Sequence, residues 1–140
     1  GAYLVLMRLT SELATARDAH FARHDLSEGR FMVLIQLYTT TGPLSPAELA
    51  ERIGVTRATM TGVLDTLEHG GAVQRTPHPS DGRGLAVHLT EAGRARLEAM
   101  LPDHYRRLSA LLAPLSTDER ETLVALLDKL RQALPALGQP

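Results

Sequence analysis

The stretch SPAELAERIGVT, residues 45–56, decides the fold of this chain. It begins with a strong helix start, because Ser45 is a good N-cap, a proline occupies the first helical position and Glu48 can close a capping box. The helix is expected to be short, since Gly54 interrupts it and suits a backbone conformation that other residues avoid. Thr56 then caps a second helix. Two helices joined by a turn of about three or four residues match the helix-turn-helix pattern.

The second helix of the pair, from Thr56 to about His69, has one apolar face and one face of small and polar residues. Its apolar positions recur at the spacing of a buried helix face: Met60, Val63, Leu64 and Leu67. Short side chains on the opposite face let a helix approach the floor of a DNA groove, and threonine can contact bases or phosphates. We therefore predict DNA contacts from Ser45, Thr56, Arg57, Ala58, Thr59, Thr61, Gly62 and Asp65. The alternative is that this helix packs on another protein.

A hairpin is predicted next, with strands over Ala72–Thr76 and Gly84–Leu89 and a long polar loop between them. Such a loop adds little to stability, so a binding role is a reasonable explanation for it. We predict that Arg83 enters a minor groove, where narrow A·T-rich tracts attract guanidinium groups, and that Arg75 adds a second DNA contact. Asp81 is expected to support this wing by pairing with a guanidinium, and it also suits an ordinary turn.

Helical patterns flank this region on both sides. One helix is predicted from about Tyr3 to His24, and Ser27 caps another. Thr90 caps a long helix that runs to about Leu112, and Ser116 starts a final helix with a leucine stripe. The sequence therefore predicts a mainly α fold with a small β-hairpin wing, in which a winged helix-turn-helix head joins a helical dimerisation region.

The leucines of the last helix, and those just before it, present more apolar surface than the central head can cover. We expect an intermolecular helical bundle, completed by the first helix, to bury them in a homodimer. The alternative is that these helices fold back as a core within one chain.

Composition narrows the class of protein further. The 140 residues fit one domain, or a small domain with a dimerisation extension. The net charge of −1 means that nucleic-acid binding needs a local basic patch. The chain has no cysteine, which excludes disulfides, thiolate zinc sites and cysteine-based peroxide sensing. No apolar run approaches the ~20 residues of a membrane span and no signal peptide is evident, so we expect a cytoplasmic protein.

Metal and enzyme sites are not expected. His20 and His24 are four residues apart on one predicted helix, a spacing that two metal ligands can use, but no third ligand cluster is evident nearby. No nucleophile elbow, glycine-rich phosphate loop or metal motif organises the Ser, His and Asp residues into a catalytic site. We therefore predict no enzyme activity, no cofactor and no metal. The main alternative to DNA binding is a winged-helix protein-interaction module without DNA affinity.

Several blocks of the chain resemble the MarR-type transcriptional regulators. They are LAERIGVT at 49–56, LDTLEHGGAVQR at 64–75, and Asp81-Gly82-Arg83 followed by Leu89-Thr90-Glu91-Ala92-Gly93. The resemblance covers essentially all of 1–140 as a single domain, with a DNA-binding head at about 27–90 and a dimerisation region at about 1–26 and 91–140. It implies a homodimeric, ligand-responsive repressor that binds double-stranded DNA at a palindromic operator. One departure is Gly62, where many relatives carry a basic residue.

The resemblance also implies a small-molecule effector, commonly an aromatic acid, in a cleft between the dimer helices and the DNA head. The candidate pocket residues that it implies are Arg8, Ser11, His20, Phe31 and Met32. The alternative is that these are plain core or surface positions.

Overall fold

The computed structural model describes residues 1–78 and 84–138. Within them the chain forms, in order, α1 (Ala2–Ala22), α2 (Glu28–Thr39), α3 (Pro46–Ile53), α4 (Arg57–His69), β1 (Val73–Pro77), β2 (Leu85–Leu89), α5 (Glu91–Leu112), α6 (Thr117–Gln132) and α7 (Pro135–Gly138). The strands pair as an antiparallel hairpin, with Val73 opposite Leu89 and Pro77 opposite Leu85. This architecture confirms the predicted fold class, a mainly α protein with a small hairpin wing.

The chain divides into two compact units, Gly1–Met100 and Leu101–Pro140. The first unit contains α1 to β2 and the beginning of α5, and the second contains the rest of α5 with α6 and α7. The predicted division into a head at about 27–90 and a dimerisation region at about 1–26 and 91–140 concerns the assembled protein and stays a prediction.

Side-chain caps fix the starts of α2, α3 and α6, as predicted. The Ser27 hydroxyl accepts from the Arg30 backbone N–H at 3.3 Å, and both Ser45 and Ser116 form complete capping boxes. The boundaries differ from the prediction by one or two residues: α1 ends at Ala22, β1 spans Val73–Pro77, and β2 begins at Leu85. The short helix α7 was not predicted, because its residues continue the leucine pattern of α6.

The core of the first unit is built from the apolar faces of α2, α3, α4 and the hairpin. Leu34, Leu49, Leu64 and Val87 are almost completely buried in it. Leu44 adds a contact that the sequence did not predict. Its backbone N–H donates to the Val87 carbonyl at 3.2 Å, and the Val87 N–H donates back at 2.7 Å. This bridge holds the segment that leads into α3 against β2.

The Leu-Thr-x-x-Gly segment, residues 89–93, joins the hairpin to α5 and packs closely on the backbone of residues 71 and 72. The Thr90 hydroxyl donates towards the carbonyl oxygens of Gly71 and Ala72, at 2.6 and 3.0 Å, and accepts from the Gly93 backbone N–H at 3.0 Å. A β-carbon at Gly93 would overlap the Ala72 carbonyl. Glycine is therefore required here so that the start of α5 can pack on the turn after α4.

Among residues 1–78 and 84–138, no helix is both long enough and apolar enough to cross a bilayer.

Candidate nucleic-acid interface

The turn between α3 and α4 sets the start of the second helix. Gly54 adopts the left-handed conformation, with φ of 81°, and its N–H bonds to the Ala50 carbonyl at 2.9 Å. The chain then extends at Thr56, whose hydroxyl oxygen accepts from the Thr59 N–H at 3.1 Å and begins α4. The sequence predicted this geometry because a glycine and a capping threonine mark the two ends of the turn.

The two faces of α4 differ as predicted. Met60, Leu64 and Leu67 are 1% exposed and point into the core, while Val63 is half-buried. The predicted DNA-contacting positions on the other face are all exposed and lie together on one surface: Thr56, Arg57, Ala58, Thr59, Thr61, Gly62 and Asp65. We call this surface the α4 outer face. Ser45 stands apart from it, half-buried at the start of α3.

Backbone hydrogen bonds orient the threonines of this helix. The Thr61 hydroxyl donates to the Arg57 carbonyl at 3.0 Å, and the Thr66 hydroxyl donates to the Gly62 carbonyl at 3.1 Å. The Thr56 and Thr59 hydroxyl oxygens are 3.0 Å apart. With its proton directed to the backbone, Thr61 presents an oxygen that can accept a hydrogen bond and a methyl group that can make an apolar contact.

Arg57 carries the accessible positive charge on the α4 outer face. It is exposed in the first turn of α4. Its guanidinium forms no hydrogen bond or ion pair with another described residue. The side chain is therefore available to an external anion.

Arg75 is in a different situation, because two carboxylates of α4 enclose it. Its Nη2 lies 2.9 Å from Glu68 Oε1 and 2.7 Å from Asp65 Oδ1, and its Nε lies 3.2 Å from Glu68 Oε1. Hydrogen bonds from the Arg75 guanidinium and backbone N–H lower the pKa of Glu68 below its ordinary value. The hydrogen bond with Glu68, followed by that with Asp65, raises the pKa of Arg75.

Sequence reasoning missed the role of Glu68 in this cluster. It placed Arg75 among the DNA contacts from its position on a strand. The available signal was the spacing, since Glu68 precedes Arg75 by seven residues across a Gly-Gly turn that brings the end of α4 back to β1.

The hairpin is defined as far as its last described pairs. The His78 N–H donates to the Gly84 carbonyl at 3.2 Å, and the Thr76 hydroxyl lies 2.9 Å from Nε2 of His88 across the strands. The predicted DNA contact Arg83 and its predicted support Asp81 fall within 79–83, outside the described residues.

The predicted effector residues do not form one cluster in the single chain. The ring of Phe21 lies 5.1 Å from that of His20 and 4.8 Å from that of Phe31, so these rings are close together. Arg8 and Ser11 are exposed near the other end of α1. At a rise of about 1.5 Å per residue, Arg8 is about 18 Å along the helix from His20. Met32 is half-buried on α2.

Comparison with known proteins places these features in one family. A sequence profile of the MarR family matches residues 26–85. The HTH-type transcriptional repressor YetL of Bacillus subtilis is 38% identical over 133 residues, covering 94% of this chain and 80% of that protein. The transcriptional repressor MprA of Escherichia coli is 31% identical over 134 residues, covering 95% of this chain and 76% of that protein.

Solved structures agree with the sequence comparison. The S. aureus MepR–DNA complex has a TM-score of 0.79 at 25% identity, with 95% of each chain covered. A mutant MarR from E. coli complexed with operator DNA has a TM-score of 0.79 at 28% identity, with 90% of each chain covered. These structural similarities agree with the helix-turn-helix and the hairpin, and the similarity to YetL and MprA shows that the chain belongs to the MarR family.

Proposed function

We propose that this protein is a transcriptional regulator that binds duplex DNA sequence-specifically as a homodimer. One observation carries the proposal: the residues of the α4 outer face are all exposed, and they are short side chains, hydroxyls, one available arginine and Asp65, whose carboxylate pairs with Arg75. A helix with this surface fits the major groove, because small residues allow close approach and threonine contacts base edges.

The contacts on this face divide into two kinds. Arg57 neutralises a phosphate and fixes the register of the helix on the duplex, whereas Thr59 and Thr61 contact base edges. Ala58 keeps the helix close to the groove floor. The hairpin lies over the adjacent minor groove, with Arg83 as its contact.

The charge balance of the head favours recognition by fit over general attraction to DNA. Residues 27–90 contain five arginines, Arg30, Arg52, Arg57, Arg75 and Arg83, against six carboxylates. Two of those carboxylates neutralise Arg75. Because counterion release by cations supplies most non-specific affinity, we expect weak binding to random DNA and clear discrimination in favour of the operator.

Exposed apolar side chains support the homodimer. On α1, Leu4 and Val5 are each 69% exposed, and on α6 no residue is buried in the single chain. Surfaces of this kind mark association sites in soluble proteins. A two-fold dimer presents two copies of α4 to a palindrome whose half-sites lie about 34–36 Å apart, one helical turn.

We further propose that the regulator is a ligand-responsive repressor that acts in the cytoplasm, where it meets the genome. The relatives YetL and MprA are named as repressors. His20 and Phe31 are the most suitable of the predicted effector positions, because the ring of Phe21 lies close to both of theirs and an aromatic ligand suits contact with aromatic rings. We assign the protein no catalytic role.

The test is selection of bound fragments from the genomic DNA of the organism that encodes the protein. We expect a palindromic consensus. Arg57→Ala should then weaken binding to that operator. It should also reduce the salt slope, the slope of log affinity against log salt concentration, by about two for the dimer, since each copy loses one phosphate contact. Arg23→Ala is the control, because Arg23 is an exposed arginine at the end of α1. If no consensus is recovered and the affinity for DNA does not depend on salt concentration, the result would support the protein-interaction alternative.

A further inference from the structure

We propose that Arg75 is a positioning residue, which fixes the hairpin on α4 through Glu68 and Asp65 and acts on DNA affinity without touching DNA. The inference rests on the proposed function and assigns Arg75 a different role within it. The position of the hairpin affects operator affinity, because α4 and the hairpin must contact adjacent grooves at the same time.

The cluster joins two elements by both backbone and side chain. Glu68 Oε2 accepts the Arg75 backbone N–H at 2.8 Å, while Glu68 Oε1 accepts from Nε and Nη2 of the same residue at 3.2 and 2.9 Å. Asp65, one turn earlier on α4, holds Nη2 at 2.7 Å. Because β1 is paired with β2 along its length, fixing Arg75 fixes the root of the whole hairpin relative to α4.

The same contacts argue against a phosphate contact from Arg75. Its side chain is 20% exposed, and the guanidinium faces two carboxylates, so the cluster as a whole carries one net negative charge. A phosphate would meet that negative charge and compete for donors already in use. Two donors of the rigid, planar guanidinium converge on Glu68 Oε1, a geometry that suits a fixed angle between two elements.

Replacing Glu68 by glutamine separates the two roles, because they predict opposite signs. Glu68→Gln raises the charge of the head by one and frees Arg75 from a partner, so a phosphate-contacting Arg75 would bind DNA as well as before or better. If Arg75 positions the hairpin, the same substitution loosens the hairpin and weakens binding. Arg75→Gln weakens binding under both roles, but only a lost phosphate contact reduces the salt slope.

The experiment measures operator affinity by fluorescence anisotropy over a range of salt for Glu68→Gln, Arg75→Gln and the double variant. We expect each single variant to lose about tenfold in affinity and the double variant to lose no more than the worse single one, since both break one interaction. The salt slope should stay that of the wild type. Glu51→Gln is the matched control: Glu51 is exposed on α3 and has no hydrogen-bond or ion-pair partner among the described residues. It should bind equally or more tightly.

Arg75→Lys keeps the positive charge and is therefore a smaller change than Arg75→Gln. Lysine can pair with one carboxylate but lacks the planar fork, so we expect affinity between those of the wild type and Arg75→Gln. Three results would each overturn the proposal. Glu68→Gln could bind with wild-type affinity, or Arg75→Gln could reduce the salt slope by about two. The variants could also lose thermal stability but bind normally when folded. If the wild-type protein itself selects no DNA, the proposed function has failed, which is a separate result.

Discussion

At the scale of single residues, two arginines of the head have the same side-chain type but different surroundings. Arg57 and Arg75 were both predicted to contact DNA. Arg57 has no partner among the described residues, whereas Arg75 is held by Glu68 and Asp65. Only the environment separates an available cation from one already neutralised within the fold.

Gly62 offers a test of how the α4 outer face meets DNA. Gly62 is exposed, and a β-carbon at this position would contact nothing within 4 Å. We predict that Gly62→Lys binds all duplexes more tightly and steepens the salt slope by up to about two per dimer, because each copy adds one cation. Anisotropy titrations on operator and random DNA at several salt concentrations measure this. An unchanged slope would mean that position 62 faces away from the phosphates.

Gly93 provides a contrasting substitution in the same chain. A β-carbon there would overlap the Ala72 carbonyl oxygen, and backbone cannot move aside cheaply. We predict that Gly93→Ala lowers the free energy of unfolding by about 2–3 kcal/mol, as overpacking does. Gly62→Ala is the control, and it should raise the free energy of unfolding by up to about 1 kcal/mol, since alanine is the better helix former. Urea unfolding measures both, and equal effects would contradict the close contact.

At the scale of elements, local signals predicted most of the fold. Ser45, Thr56 and Ser116 start their helices as expected, because a cap depends on residues only three positions away. The Leu44–Val87 bridge was not predicted, since its partners are 43 residues apart and neither carries a local signal for the other. Helical periodicity predicted which residues lie on the α4 outer face. The pairing of Arg75 was not, because it depends on where the Gly-Gly turn directs β1.

The link between α4 and β1 predicts a pH dependence of stability. The hydrogen bonds from Arg75 lower the folded-state pKa of Glu68 below its ordinary value of 4.5. The unfolded state therefore binds the proton more readily, and the stabilisation is fully present above the ordinary pKa and is lost as pH falls through the folded-state pKa. We predict that the difference in unfolding free energy between wild type and Glu68→Gln is constant near neutral pH and shrinks below about pH 4.5. A difference independent of pH down to the acid limit would show that the carboxylate is not the source.

At the scale of the whole molecule, binding to a palindrome requires a second copy of the chain. The leucines of α6, among them Leu126 and Leu130, are about half exposed in the single chain. We predict that Leu126→Glu with Leu130→Glu converts the dimer to a monomer in sedimentation experiments and weakens operator binding steeply, because the two half-sites are then bound independently. Lys129→Ala on the same helix is the control. A doubly substituted protein that stays dimeric would place the interface elsewhere.

If the α4 outer face contacts base edges, Thr61→Ala changes the base preference of the protein. The measurement is the affinity of wild type and variant for operators carrying each base pair at every position. We expect the preference to relax at one position in each half-site, the two positions being related by the two-fold axis, and to be retained at all other positions. Identical preferences for the two proteins, or an equal loss of affinity for all sequences, would contradict this expectation.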